Sequence, residues 1–178
     1  YEVTYLDVDE YGFVRPEMVK RVIRPTTILI SIMTANNEIG TIEPIAKIGK
    51  LAGRYGIRFH TDAVQAYGQI PLDVNAYHID LLSASAHKFN GPKGVGFLYV
   101  RQGKNIPPFI HGGSQEKKSR AGTENVPGFV GMGKAAQLAH ETMEERIEQE
   151  SRLRDYLIYT ILKQIPYARL NGDWKERL

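Results

Sequence analysis

Cysteine is absent from the 178 residues. That removes disulfides, thiolate metal sites and any thiol nucleophile supplied by these residues, and it leaves the redox compartment unmarked. Long apolar runs are absent too. The longest, Ile28–Met33, has the length of a strand, far short of the ~20 residues a membrane-spanning helix needs, so no membrane partner is expected. Charge of one sign is nowhere massed. The net charge is +3 and the isoelectric point about 9.0. Lys117, Lys118 and Arg120 form the only tight basic cluster, without interleaved aromatics, so direct nucleic-acid binding is not expected. Repeats, low-complexity tracts and a signal-peptide pattern are also missing. Tyr1–Val8 instead alternates like a strand entered in mid-fold, and the chain is expected to be an internal piece of a longer protein.

What is present is a globular composition. At 42% hydrophobic and 24% charged residues, the chain has enough apolar surface to bury a core and too little charge for disorder. Its first two-thirds alternate strand and helix signals. Pro16–Ile23 reads as a short helix with proline in its first turn. Thr27–Met33 is a β-branched apolar run of the buried-strand type. Pro44–Tyr55 places Ile45, Ile48, Leu51, Ala52 and Tyr55 on one helical stripe, with Gly56 at the stop. Ile57–His60, Asp80–Ala86 and Gly94–Val100 read as strands, with a turn at Phe89–Lys93. This order predicts an α/β sheet with helices on its faces. From about Pro127 to Ile165 a helical pattern runs with few breaks until Pro166. Its charged stretch, Glu141–Arg154, is expected to cross solvent or bridge two domains, and a domain boundary is expected within residues 126–150.

Three strands each end in a polar cluster: Ala35-Asn36-Asn37-Glu38, then His60-Thr61-Asp62-Ala63 with Gln65 beyond, then Ser83-Ala84-Ser85-Ala86-His87-Lys88. Ligands of open α/β sheets bind outside the carboxyl ends of the strands, so the three clusters are expected to converge on one crevice. Pyridoxal phosphate would need such a set. It takes a lysine for the Schiff base, an acid to keep the pyridine nitrogen protonated, and donors for the ring phenolate and the phosphate. Lys88 and Asp62 suit the first two roles, Asn37 or Gln65 the phenolate, and Ser85 and His87 the phosphate. Taken singly, each has an ordinary structural reading. Asp62 would be a helix cap, Lys88 a solvated lysine, Asn36 and Asn37 a turn, and His87 a structural histidine. The set in series at three strand ends carries the argument.

In order and spacing these clusters resemble the cofactor motifs of class-V pyridoxal-phosphate enzymes. Within that class they are most similar to NifS/IscS-type cysteine desulfurases. Gly91-Pro92-Lys93-Gly94, His111-Gly112-Gly113 and Arg120-Ala121-Gly122-Thr123-Glu124-Asn125 add to the likeness. The resemblance implies a three-layer α/β/α, aspartate aminotransferase-like large domain, present in part, with residues 1–135 belonging to it. Residues 136–178 would be a connecting long helix and the start of the small C-terminal domain. It further implies pyridoxal 5'-phosphate as cofactor, and Lys88 and His87 as catalytic residues. Asn37, Asp62, Gln65, Ser85, His87, Lys88 and Thr123 would bind the cofactor, with no metal. Thr123 would reach the phosphate held by a second subunit of a homodimer. L-cysteine would be the substrate, an iron–sulfur scaffold or other sulfur-acceptor protein the partner, and the cytoplasm the location.

The same resemblance puts the nucleophilic cysteine and the substrate-carboxylate arginine downstream of Leu178, and a ring-stacking histidine upstream of Tyr1. Two other readings remain open on sequence. One is a different class-V activity, an aminotransferase or a selenocysteine lyase-like enzyme; the other is a non-catalytic domain that keeps the fold.

Overall fold

The computed structural model describes residues 1–178. Four strands make one sheet in the order β1 (Leu29–Ser31), β2 (Arg58–Asp62), β3 (Leu81–Ser85), β4 (Gly96–Val100). The first three are parallel, and β4 runs antiparallel to β3. Parallel neighbours need a crossover, and between β1 and β2 it is the helix α2 (Ile45–Arg54). The short helix α1 (Pro16–Val22) precedes β1 and starts on the expected proline. Gly56 follows α2 at φ 65°, a left-handed conformation glycine adopts without strain.

Side chains alternate across a strand, and this sheet uses its two faces differently. Ile30, Phe59, Leu82 and Ala84 point to one side. There they join Val19 of α1 and Ile45, Ile48, Leu51 and Ala52 of α2 in a buried cluster of 15 residues. Gly49 lets α2 approach closely: an added Cβ would overlap the Tyr77 carbonyl oxygen and come within 3.0 Å of the Phe59 ring. The other face is open, with Leu29, Leu98 and Val100 exposed beside Ser31, His60 and Ser83.

The expected strands form, with shifted ends. β1 is assigned only at Leu29–Ser31, yet backbone bonds continue beyond it, Ile32 N–H to His60 O and Thr34 N–H to Asp62 O. β2 runs through Asp62 itself. The turn expected at Phe89–Lys93 begins earlier: Ala86–Phe89 is a single 3₁₀ turn, and Asn90 closes it at φ 65°.

Two expectations fail. Tyr1–Val8 is not a strand, because no neighbouring strand offers it a ladder and Tyr1, Val3, Tyr5 and Val8 stay exposed. Arg24 holds the segment through Glu2 and Thr4 instead. The long helical pattern is two helices, α4 (Val126–Glu141) and α5 (Met143–Gln164), parted at Thr142. A one-turn element, α3 (Gln115–Lys118), precedes them, with positive φ at Glu116 and Lys117. Ala135 and Ala139 of α4 pack on Ala86, Phe89 and Val95 in a second, smaller core. No residue of α5 is fully buried.

Candidate cofactor site

The parallel register fixes what meets at the carboxyl end of the sheet. Ser31 lies beside His60, and Asp62 beside Ser83. Period-2 alternation then puts His60, Asp62, Ser83 and Ser85 on the open face. Asp62 is the last residue of β2 and Ser85 the last of β3. His87 and Lys88 follow at once on the 3₁₀ turn, both exposed. The turn is pinned by its apolar neighbours. Ala86 and Phe89 are buried, and Tyr67 meets the Phe89 ring edge-on at 5.0 Å. Gly91 folds back so tightly that an added Cβ would lie 2.8 Å from the Ala86 methyl.

The ordinary readings of some residues also hold. One Asp62 oxygen accepts the Val64 N–H at 2.9 Å, a local turn cap. That leaves the second carboxylate oxygen available. Asn36 accepts from the Glu38 and Ile39 amides, so it is spent on its turn. Asn37, exposed beside it, is the free amide at that strand end.

Lys88 and Gln65 open on one cavity of about 420 Å³. Gln69 and Ile70 share their side of it. Ile147, Glu150, Ser151 and Arg154 of α5, together with Arg177 and Leu178, form the rest of the wall. Of the expected site residues, Asn37, Asp62, Ser85, His87 and Thr123 do not line this cavity. Thr123 is exposed in the loop before α4, where Asn125 caps the helix by accepting the Gly128 N–H. His111, Gly112 and Gly113 line a separate hollow of about 220 Å³ with Lys118.

Sequence reasoning placed His60 in a polar cluster but gave it no role of its own. Its Nδ1 lies 2.8 Å from the Ser31 hydroxyl and its Nε2 2.9 Å from the Ser83 hydroxyl, so one ring ties three strands together. Burial holds its pKa below the usual histidine value, against the pull of Asp62 two residues on. The signal was available, since residues two apart on a strand share a face. Arg146, Arg154 and Arg177 were missed. Arg154 and Arg177 line the cavity and Arg146 bonds to Gln69 on its wall, all from more than fifty residues away in sequence, which no local pattern reveals.

A model of the class-V aminotransferase family matches residues 1–178. The chain belongs to that family. Among curated relatives, the cysteine desulfurase IscS of Dictyoglomus turgidum is 58% identical over 178 residues, which are 100% of this chain and 45% of that protein. Among solved structures, a NifS-like protein superposes with a TM-score of 0.87 at 41% identity, covering 92% of this chain and 45% of its own. An SspA solved in complex with cysteine gives a TM-score of 0.75 at 43% identity, covering 84% of this chain and 46% of its own. The chain therefore spans less than half the length of these relatives. Its α/β fold is that of the NifS-like enzymes.

Class-V aminotransferases use pyridoxal 5'-phosphate, and the donor chemistry at this sheet end fits it. An amine opens on a cavity beside an amide, with a carboxylate, a serine hydroxyl and an imidazole on adjoining strand ends. Each is a type the cofactor's aldehyde, ring and phosphate require.

Proposed function

We propose that these residues are the cofactor-binding part of a pyridoxal-phosphate-dependent cysteine desulfurase, which converts L-cysteine to L-alanine and passes the sulfur to a protein thiolate. The observation that carries this reading is the position of Lys88. It sits on a turn directly after β3, opens on the cavity, and follows Asp62 at the neighbouring strand end. The 58% identity to a cysteine desulfurase over the whole chain supports the choice of reaction. The SspA solved with cysteine supports the choice of substrate.

In this reading, Lys88 would hold the cofactor through its Nζ, and the same atom would carry protons for the reaction. Asp62 holds the ring nitrogen protonated through its uncommitted oxygen. Asn37 and Gln65 donate to the phenolate edge, and Ser85 and His87 to the phosphate. Thr123 completes the phosphate site of a second subunit, so the protein works as a homodimer. The bound cofactor supplies an electron sink that makes the C–S bond labile. A thiolate attacks the substrate sulfur, and the C–S electron pair stays on carbon and is protonated to give alanine. The sulfur leaves as a persulfide. That thiolate comes from outside these residues, since they contain no cysteine. A sulfur-acceptor protein such as an iron–sulfur scaffold takes the persulfide sulfur, in the cytoplasm. Residues 1–135 belong to the cofactor-binding domain, and 136–178 lead into a smaller one.

The test uses the full-length protein with pyridoxal phosphate and a reductant. Alanine and sulfide are expected in equal amounts from L-cysteine, with both lost in Lys88→Ala. Keto-acid formation from an amino donor without sulfide would replace this reading with an aminotransferase.

A further inference from the structure

Arg146, in the first turn of α5, reaches back across the molecule. Its Nη1 donates to Gln69 Oε1 at 3.0 Å, and one Nη2 donates to the Gly68 carbonyl and, at 3.2 Å, to the Ala139 carbonyl. Its Nε donates to the Thr142 hydroxyl at 3.2 Å. Gln69 then donates from Nε2 to the backbone carbonyl of Lys88 at 3.0 Å. The polarity of this chain of bonds is forced. A guanidinium can only donate and a peptide carbonyl can only accept. The Gln69 amide between them therefore has one orientation, oxygen toward Arg146 and nitrogen toward Lys88.

From this geometry we propose that Arg146 is a positioning residue for Lys88, acting through Gln69. The inference rests on the reading of Lys88 as the cofactor lysine. Two features make the relay more than a surface contact. Arg146 and Gln69 are both half-buried. The Gly68 segment is wedged so closely that an added Cβ there would lie 3.0 Å from Phe89 Cβ and 3.1 Å from Ala139 Cβ. The apolar contacts fix where the 3₁₀ turn sits. The relay fixes which way the Lys88 peptide faces, and through it the direction in which the side chain leaves for the cavity. The next residues along α5, Ile147, Glu150, Ser151 and Arg154, line that same cavity. One helix therefore sets both the far wall and the lysine that faces it.

The discriminating variant is Gln69→Glu. A carboxylate pairs with Arg146 at least as well as the amide did, yet it offers the Lys88 carbonyl only a second acceptor. A purely structural anchor for α5 would survive this change; a positioning relay would not. In the full-length apoprotein, amide exchange across residues 86–90 is expected to quicken by about five- to tenfold in both Gln69→Glu and Arg146→Met, the size of one lost hydrogen bond. The melting temperature should fall only in Arg146→Met. With pyridoxal phosphate added, Gln69→Met and Arg146→Met should each lower kcat for L-cysteine by a similar factor with little change in KM. The double variant should be no slower than the worse single one. Unchanged exchange at 86–90 in Gln69→Glu, or additive kcat losses in the double variant, would overturn the relay. If the wild type forms no Lys88-dependent imine absorbance, the cofactor reading fails and the relay proposal falls with it. If the wild type forms it and the variants match the wild type throughout, the relay alone fails.

Discussion

Replacing His60 with asparagine tests how the open face of the sheet is held. The ring bridges Ser31 and Ser83, one hydroxyl on each neighbouring strand, and both bonds have good length. Asparagine is too short to span both strands, so at least one bond is lost. Each such bond contributes roughly 1 kcal/mol net, so the cost above neutral pH should be about 1–2 kcal/mol in urea unfolding of the full-length protein. The pH dependence has a definite sign. Burial lowers the folded-state pKa of His60 below its unfolded value of 6.5. Between the two values the unfolded chain binds the proton and the folded chain does not, so stability there rises with pH. The histidine's contribution is therefore complete above pH 6.5 and is lost as pH falls through its depressed folded value. The gap between wild type and His60→Asn should narrow on acidification from pH 8 to pH 5. Asp62, which favours the charged ring, reduces the narrowing without reversing it, because burial is the larger effect. A gap that is constant, or that widens in acid, would show that the ring is not held neutral between the strands.

Gly49→Ala should be far costlier than a helix propensity argument allows. Alanine is favoured over glycine in helices, but here its Cβ would overlap the Tyr77 carbonyl oxygen. A loss of roughly 2–3 kcal/mol is expected from forcing α2 off the sheet, read as a lower unfolding midpoint; a stabilised variant would refute the packing. Glu43 is buried and accepts the Val14 amide at 2.8 Å, and burial raises its pKa above 4.5. Glu43→Gln keeps an acceptor and removes the buried charge, so it should be the more stable protein at pH 7, with its advantage shrinking as pH falls through the Glu43 titration range. Purified alone with pyridoxal phosphate and reductant, the 178 residues should release no sulfide from L-cysteine beyond free-cofactor and Lys88→Ala controls, because a thiolate must take the sulfur and these residues have none.

Much of the fold was legible because burial writes a period into the sequence. Ile45, Ile48, Leu51 and Ala52 repeat at helical spacing and all face the sheet. The apolar run about Ile28–Met33 marks a strand covered on its inner side. Tyr1–Val8 carries the same alternation and makes no strand, since alternation shows only that a segment could pair and not that a partner is beside it. The division at Thr142 was hidden for a related reason. Helical residues continue across it without a proline or glycine, and the break is stabilised by Arg146, whose partners lie at Gly68, Gln69 and Ala139.

The candidate site divides along the same line between local and distant information. Asp62, Ser85, His87 and Lys88 stand out as candidates because the parallel strands bring separate strand ends side by side, and the sequence places a polar cluster at each; of the four, only Lys88 lines the cavity. The long-range contacts around those residues were not readable. His60 reaches Ser31 over 29 residues, and Arg146 reaches Gln69 over 77. Reactive residue types are few and chemically distinct, so their identity survives in a linear sequence. Positioning residues are ordinary arginines, glutamines and serines whose role exists only in the fold. A lysine can be picked out as a candidate nucleophile by its context of motifs. In the relay proposed above, the direction in which it points depends on a helix that begins more than fifty residues later.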